Sequence, residues 1–495
     1  MAGGSRTAVL CNSNPVESAT QTLHRLTSVE RFDAAREIEP PVDDPGVVQG
    51  FTPMDLSRLP WFYKRYADGL PRIDLPRQLA ATTAGAVDVL AGTAYVPRAQ
   101  LDLPGLGRLL FLMSGVTRTS QRPFGTWLFR AAGSAGGRFP LEVYVAVPAG
   151  SSLPPGVHWY HPEQHALLTI GPAPAGGCPA VVVTGVPWRT GWKYRERGYR
   201  HVYWDAGTAL SQLLAAASSA GIPAHLYTRF PDGAVAELAG ADGVHEWPVA
   251  VVALGNEDPA IGATGAAVEG RVDGDPVEFP FVTAAQRAGD MDTLGAPWPP
   301  GPPVRVPLTN GDPVEKVILK RGSQRLMDPA QPVPADLLRT VLAAALRGID
   351  VPHWVAVHHV TAVTSGLYRS PDLATPVRTG DLRQEMYHAC MDQGLGRDAA
   401  FVVIAATEIA TTADRDYREA QLAAGLAEGR LHLAAYALGV AASGMTFVDG
   451  LVPSLLGQGN MQGLLFTCIG VPEYASKPGG SPGDPSAVQM VTPRF

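Results

Sequence analysis

Lysine is scarce in this chain. Of 39 basic residues only five are lysines, Lys64, Lys193, Lys316, Lys320 and Lys477, so each is more informative than any single arginine. Cysteine is rarer still: Cys11, Cys178, Cys390 and Cys468 are widely scattered, and no CxxC occurs. That argues against a disulfide framework or a structural metal site and suits a reducing cytosol. Positive charge is not in excess: a net charge of −7 and a pI near 6.0 argue against a nucleic-acid or membrane-surface protein. The N-terminus has no basic-then-apolar targeting pattern. The longest apolar run, Leu431–Val448, is interrupted by His432, Gly439, Ser443 and Gly444. It reads as a buried helix with its exit turn, not a membrane span. A cytoplasmic location is the expectation.

What is present is a globular chain. Hydrophobic content is 46% over 495 residues, which predicts two or three domains. Residues 1–80 are Pro-rich and read as an N-terminal arm, with aromatics clustered in 51–75. Residues 81–257 predict a helix near Leu106–Gly115, strands at Glu142–Val147, Val181–Val183 and Val249–Leu254, and a long helix over Ala206–Ala220. Residues 258–312 are rich in Pro, Gly and Asp and read as an extended linker. Over 313–475 the same order returns: a helix at Ala335–Leu346, strands at His353–His359 and Phe401–Ala405, a long helix at Glu419–Leu438 and a strand at Leu464–Ile469. Placing Tyr199-Arg200 over Tyr417-Arg418 aligns Ala206-Gly207 with Ala424-Gly425, and Gly221 with Gly439, without a gap. Two long halves with one order of elements imply an internal duplication. The tail, 476–495, reads as extended over the surface.

Three stretches carry chemistry. Arg321-Gly322-Ser323-Gln324-Arg325 offers two guanidiniums and a hydroxyl, which suits a phosphate, and Lys320 and Lys477 add charge. Gly133-Ser134-Ala135-Gly136-Gly137 is a small-residue turn that lets backbone approach a planar ring edge. Trp192-Lys193-Tyr194-Arg195-Glu196-Arg197-Gly198-Tyr199-Arg200-His201 is the densest polar-aromatic stretch, and its Lys–Tyr pair could remove a carbon-bound proton. Each also has an ordinary reading, as a solvated basic turn, a flexible turn and a surface loop.

Together the stretches resemble the nitroreductase superfamily, and within it the SagB-type azoline dehydrogenases. RAAGSAGGRFPLEVYV is similar to that group's R-x-x-P-S-A-G-x-x-Y-P-L-E segment, with Gly133 in place of Pro and Phe139 in place of Tyr. KYRERGYRHVYWDAG is similar to its K-Y-x-x-R-G-Y-R-Y…D-A-G segment, whose Lys-Tyr pair is catalytic, and Arg321–Met327 resembles the superfamily's phosphate motif. The resemblance implies an α+β protein of two fused FMN-binding domains forming an intramolecular pseudo-dimer. It implies catalytic Lys193 and Tyr194, and cofactor contacts from Arg321, Ser323, Gln324, Arg325, Ser134, Ala135, Gly136, Gly137, Lys477 and, in the turn after the second long helix, Asp449 and Gly450.

The first half shows Ala81-Thr82-Thr83-Ala84-Gly85-Ala86 where phosphate arginines are expected. The second runs Arg347-Gly348-Ile349-Asp350-Val351-Pro352 straight into its strand, without a Ser-Ala-Gly turn. One flavin site, assembled from both halves, is therefore expected. The implied activity is oxidation of azoline rings to azoles in a peptide natural product, with a cyclodehydratase as partner. The alternatives are an NAD(P)H-dependent nitro or quinone reductase and a non-catalytic scaffold docking through 51–75.

Overall fold

A computed structural model describes residues 17–31, 55–309 and 311–495. Parts of the expected arm, 1–16 and 32–54, lie outside the described residues. Two sheets and two long helices form the centre. One sheet has seven strands, in the spatial order Arg72–Asp74, Ala166–Gly171, Gly156–His161, Leu141–Val147, Ala180–Gly185, Trp247–Ala253, His225–Tyr227. The other has six: Asp372–Thr379, Gly366–Arg369, His353–Val357, Phe401–Thr407, Gln462–Gly470, Ala441–Met445. Every pairing in both is antiparallel. The resemblance to nitroreductases implies a mixed sheet in each half, and the antiparallel pairing among the described residues corrects that expectation.

Both sheets visit their inner strands in the same way. Leu141–Val147 pairs with Ala180–Gly185, which pairs with Trp247–Ala253, and the intervening short strand His225–Tyr227 closes the edge. His353–Val357, Phe401–Thr407, Gln462–Gly470 and Ala441–Met445 repeat that order. These central strands are buried on both faces and read as continuous apolar runs, not alternations.

The long helices, Gly198–Ser219 and Asp414–Ala437, pack on each other more extensively than any other pair of helices. They cross where glycine permits contact of backbones. A Cβ on Gly207 would lie 2.4 Å from Leu426 N, and one on Gly425 would lie 2.4 Å from Trp204 O. Both helices are buried nearly all round, which explains their weak amphipathic pattern. They also extend further toward their N-termini than sequence spacing suggests, because Tyr199, Arg200, Tyr417 and Arg418 are themselves buried.

The peripheral segments differ most from expectation. The described arm is bound to the seven-stranded sheet: Lys64 is buried, ion-paired to Glu246 at 2.7 Å, and its N–H donates to Glu142 at 2.7 Å. Its aromatics Trp61, Phe62, Tyr63 and Tyr66 are half-buried, Tyr63 and Tyr66 beside Trp159. The segment 258–312 contains a helix, Pro280–Ala288, and is stitched to both halves through Trp298, whose main-chain N–H donates to Leu226 O and whose indole N–H donates to Gly348 O at 3.2 Å. Residues 441–445, expected as an exit turn, form an edge strand. Ser486–Ala487 of the tail pairs in parallel with Arg118–Thr119 of the hairpin Val116–Arg122/Gly125–Arg130.

Candidate functional site

Arg321–Arg325 follows directly on a helix. Helix Val314–Lys320 ends at Arg321, whose backbone turns to an extended conformation. The turn Gly133–Gly137 comes from the other half, between strand Gly125–Arg130 and strand Leu141–Val147. Gly136 and Gly137 both adopt the left-handed region, at φ 62° and 64°, which an L side chain rarely occupies. The two stretches meet: a Cβ on Gly133 would lie 3.5 Å from Arg321 Nη1 and 3.7 Å from Ser323 Oγ.

A cavity of about 550 Å³ forms at this junction, walled by Gly133, Ser134, Gly137, Arg321, Ser323 and Arg325 and roofed by the tail residues Tyr474–Lys477 and Ala487–Val491. Five cationic side chains line it, Arg118, Arg130, Arg321, Arg325 and Lys477, and no carboxylate does among the described residues. Arg118 and Arg321 are buried and spend their donors on main-chain carbonyls: Arg118 on Leu319, Arg321 and Lys477, and Arg321 on Ala131 at 2.8 Å. Burial, with Arg321 beside it, pushes the Arg118 guanidinium down to about 10. Lys477 Nζ donates to Ala487 O at 2.9 Å, tying the tail to itself over the cavity. The Arg325 guanidinium makes no hydrogen bond or ion pair with any described residue and is the free charge of the set.

A smaller cavity of about 210 Å³ shares Gly133, Ser134, Ser323 and Arg325 with the first. Lys193 and Tyr194 line it, at the end of helix Pro187–Tyr194, not in a surface loop. The pair abuts the glycine turn: a Cβ on Gly136 would lie 2.9 Å from Tyr194 Oη and 3.3 Å from Lys193 Nζ. Lys193 Nζ has no hydrogen-bond or ion-pair partner among the described residues. His201, one turn into the long helix, stacks on Tyr194 with ring centroids 4.2 Å apart. Burial, reinforced by Arg197, Arg200 and Lys193, holds His201 well below its usual pKa and hence neutral.

The turn itself is anchored by Asp205. Its carboxylate accepts from Ser134 Oγ and from Ala135 N–H at 3.0 Å, and Ser134 Oγ in turn accepts from Phe139 N–H at 2.7 Å. Complete burial pushes Asp205 up to about 7, against the lowering effect of those donors. Ser134 and Ala135 therefore serve the shape of the turn. Glu428, paired to His432 at 2.9 Å and accepting from Thr208 Oγ1 at 2.6 Å, reaches the same cavity from the second long helix.

Three residues expected at the cofactor lie elsewhere. Gln324 is wholly buried and donates to the carbonyls of Leu326 and Tyr474, fixing the chain behind the cavity. Asp449 lines neither cavity. It is buried between Arg197 at 2.6 Å and Arg200 at 2.7 Å and accepts from Val29 N–H at 2.8 Å. Burial opposes its ionisation, but the two guanidiniums prevail and hold it down at about 2. Gly450 packs against Glu30, whose carbonyl would lie 2.6 Å from an added Cβ. Arg118, His201, Asp205 and Tyr474 were missed as site residues. Asp205 and His201 stand inside the quoted KYRERGYRHVYWDAG stretch, but nothing local marks which of its residues face inward. Arg118 and Tyr474 carry no sequence signal.

The nitroreductase family model matches residues 160–256. A candidate nitroreductase from Anabaena variabilis superposes over 92% of this chain and 100% of its own, with a TM-score of 0.70 at 23% identity. The chain has a nitroreductase fold. A candidate nitroreductase of Methanocaldococcus jannaschii is 27% identical over 172 residues, 32% of this chain and 82% of that protein. An FMN-dependent nitroreductase from Clostridium difficile matches over 33% of this chain and 90% of its own, with a TM-score of 0.24 at 16% identity. No helix among the described residues is long and apolar enough to cross a membrane.

Proposed function

We propose that this chain is an FMN-dependent oxidoreductase whose two halves, fused repeats forming an intramolecular pseudo-dimer, hold one flavin between them. The observation that carries the reading is the larger cavity: five cationic side chains, no carboxylate among the described residues, and a shared wall with the Lys193–Tyr194 cavity. Buried guanidiniums without an acidic partner are costly, and an oxyanion in the cavity offsets that cost. A phosphate monoester fits this donor set, with Arg325, Ser323 and Lys477 holding it and Arg118 and Arg321 supplying field from behind. The left-handed turn Gly136-Gly137 presents backbone where a side chain would collide with Tyr194, so it suits the edge of a planar ring.

The activity we assign is two-electron dehydrogenation of an azoline ring in a modified peptide. When bound, the flavin supplies a two-electron acceptor that molecular oxygen restores. Lys193 Nζ, unencumbered by an ion pair, takes the carbon-bound proton, and the Tyr194 hydroxyl hydrogen-bonds the ring heteroatom. Neutral His201 braces the Tyr194 ring without adding a competing positive charge. Asp205 keeps the glycine turn against the Lys–Tyr pair. A cyclodehydratase that makes the azoline is the partner this chemistry requires.

The test is direct. Purified protein should be yellow, with one FMN per chain. It should oxidise an azoline-containing peptide with oxygen uptake, and Lys193→Ala should abolish turnover while flavin stays bound. Folded protein that remains colourless after FMN is added defeats the reading. Rapid bleaching by NAD(P)H without response to an azoline would place the chain among reductases instead.

A further inference from the structure

A third cavity, of about 300 Å³, is left unused by that reading. It lies where the C-terminal part of the first long helix meets Arg347 and Arg430. Arg430 projects from the second long helix and is only 8% exposed. Its one described hydrogen bond runs from Nη1 to the main-chain carbonyl of Arg347 at 2.6 Å. Arg347 donates to the carbonyls of Leu90 and Gly301, each at 2.8 Å. No carboxylate lines this cavity or pairs with either arginine among the described residues. Burial, with Arg347 adjacent, pushes Arg430 down to about 10. Two neighbouring guanidiniums without a counter-ion face a space whose remaining lining combines apolar Leu214, Ile222 and Trp298 with Ser211, Ser218 and His225.

The geometry parallels the flavin cavity with the charges exchanged between halves. There, helix Val314–Lys320 ends at Arg321, whose guanidinium approaches Gly133. Here, the short helix Ala86–Ala91 ends at Gly92, and the guanidinium of Arg347 would lie 2.9 Å from a Cβ on Gly92. The register that sets Gly207 on Gly425 sets Gln212 on Arg430. In its satisfied orientation the Gln212 amide donates to Leu112 O and accepts from Arg321 Nε, whereas Arg430 donates to Arg347 O. The phosphate arginines expected at 81–86 thus have their spatial counterpart after Ala91, at Gly92. The cation there comes from across the interface.

We propose that this cavity binds a small organic anion, its carboxylate or phosphate held by Arg430 and Arg347 and its apolar body against Leu214, Ile222 and Trp298. The space is smaller than the flavin cavity and has no counterpart of Lys193 and Tyr194, so FMN is not its ligand. The assignment stands on this cavity alone and does not depend on the flavin.

The full chain, loaded with FMN, is titrated calorimetrically with benzoate, phenyl phosphate and neutral benzyl alcohol. Saturable binding of benzoate or phenyl phosphate, with none of benzyl alcohol, is expected. Benzoate binding tighter than phenyl phosphate assigns a carboxylate ligand, and the reverse assigns a phosphate. Arg430→Gln should weaken the anion by roughly tenfold or more, with flavin content unchanged. Ser218→Glu, at the exposed mouth of the cavity, should abolish binding without touching a buried group, and it serves if Arg430→Gln does not fold. No saturable anion binding, equal binding in both variants, or a second FMN displaced by either anion overturns the proposal.

Discussion

Arg325→Ala isolates the phosphate contact better than any other change in the larger cavity. Arg118 and Arg321 are tied to main-chain carbonyls, so removing either also breaks packing. Arg325 is half-buried, bonds to no described side chain or carbonyl through its guanidinium, and engages the fold only through its N–H, which donates to Tyr474 Oη at 3.1 Å. Deleting its side chain should therefore leave apo-protein stability almost unchanged. A charge-assisted hydrogen bond contributes about 1.5–3 kcal/mol. At about 1.4 kcal/mol per decade, that weakens FMN by about ten- to a hundredfold. The assay is quenching of flavin fluorescence on titrating apo-protein, run in parallel with riboflavin, which lacks the phosphate, and with a thermal melt of the apo form. The expected result is a large loss for FMN, little change for riboflavin and an unshifted melt. Equal losses for FMN and riboflavin, or no loss for either, would refute the phosphate assignment.

Gly136→Ala should leave FMN bound but cut turnover by about tenfold or more, since its Cβ would displace Tyr194 Oη from 2.9 Å; steady-state kinetics on flavin-replete protein decide it. Asp449→Asn should destabilise the fold by about 3–5 kcal/mol by stranding Arg197 and Arg200, with FMN affinity of the folded fraction intact, as chemical denaturation and flavin titration would show. Because Asp449 is held at about 2, below its unfolded value of 3.8, its stabilisation is complete above that unfolded value and is lost as pH falls toward 2. Asp205 behaves oppositely. Raised from 3.8 to about 7, it favours the fold most below 3.8 and progressively less as pH rises to 7. In Asp205→Asn that part of the decline in melting temperature with pH should vanish, and an unchanged slope would count against a buried, neutral carboxyl.

Much of the scaffold was legible because burial leaves a local trace. Val181–Val183 and Val249–Leu254 are apolar runs too short for helices; the first lies within a central strand and the second overlaps one, Trp247–Ala253. Gly221 and Gly439 mark the helix ends because the chain must turn left-handed there, at φ 70° and 82°. Periodicity failed where a helix is buried on every side, so both long helices begin earlier than expected. Sheet direction was not legible either: strand runs look alike whichever way the neighbour points.

The site divides in the same manner. By itself the sequence determined which stretches could do chemistry: a rare lysine beside a tyrosine, a glycine turn, and two arginines around a serine. Those are properties of side chains a few residues apart, and spacing records them. Only the tertiary structure decided that these stretches share one pair of cavities, since the turn at 133–137 and the segment at 321–325 come from different halves. It also decided against Asp449, Gly450 and Gln324. A carboxylate at the end of a promising turn goes to the nearest buried guanidiniums, and Arg197 and Arg200, from the other half, reach it first. Which charge is already neutralised depends on neighbours distant in the chain, and only folding chooses them.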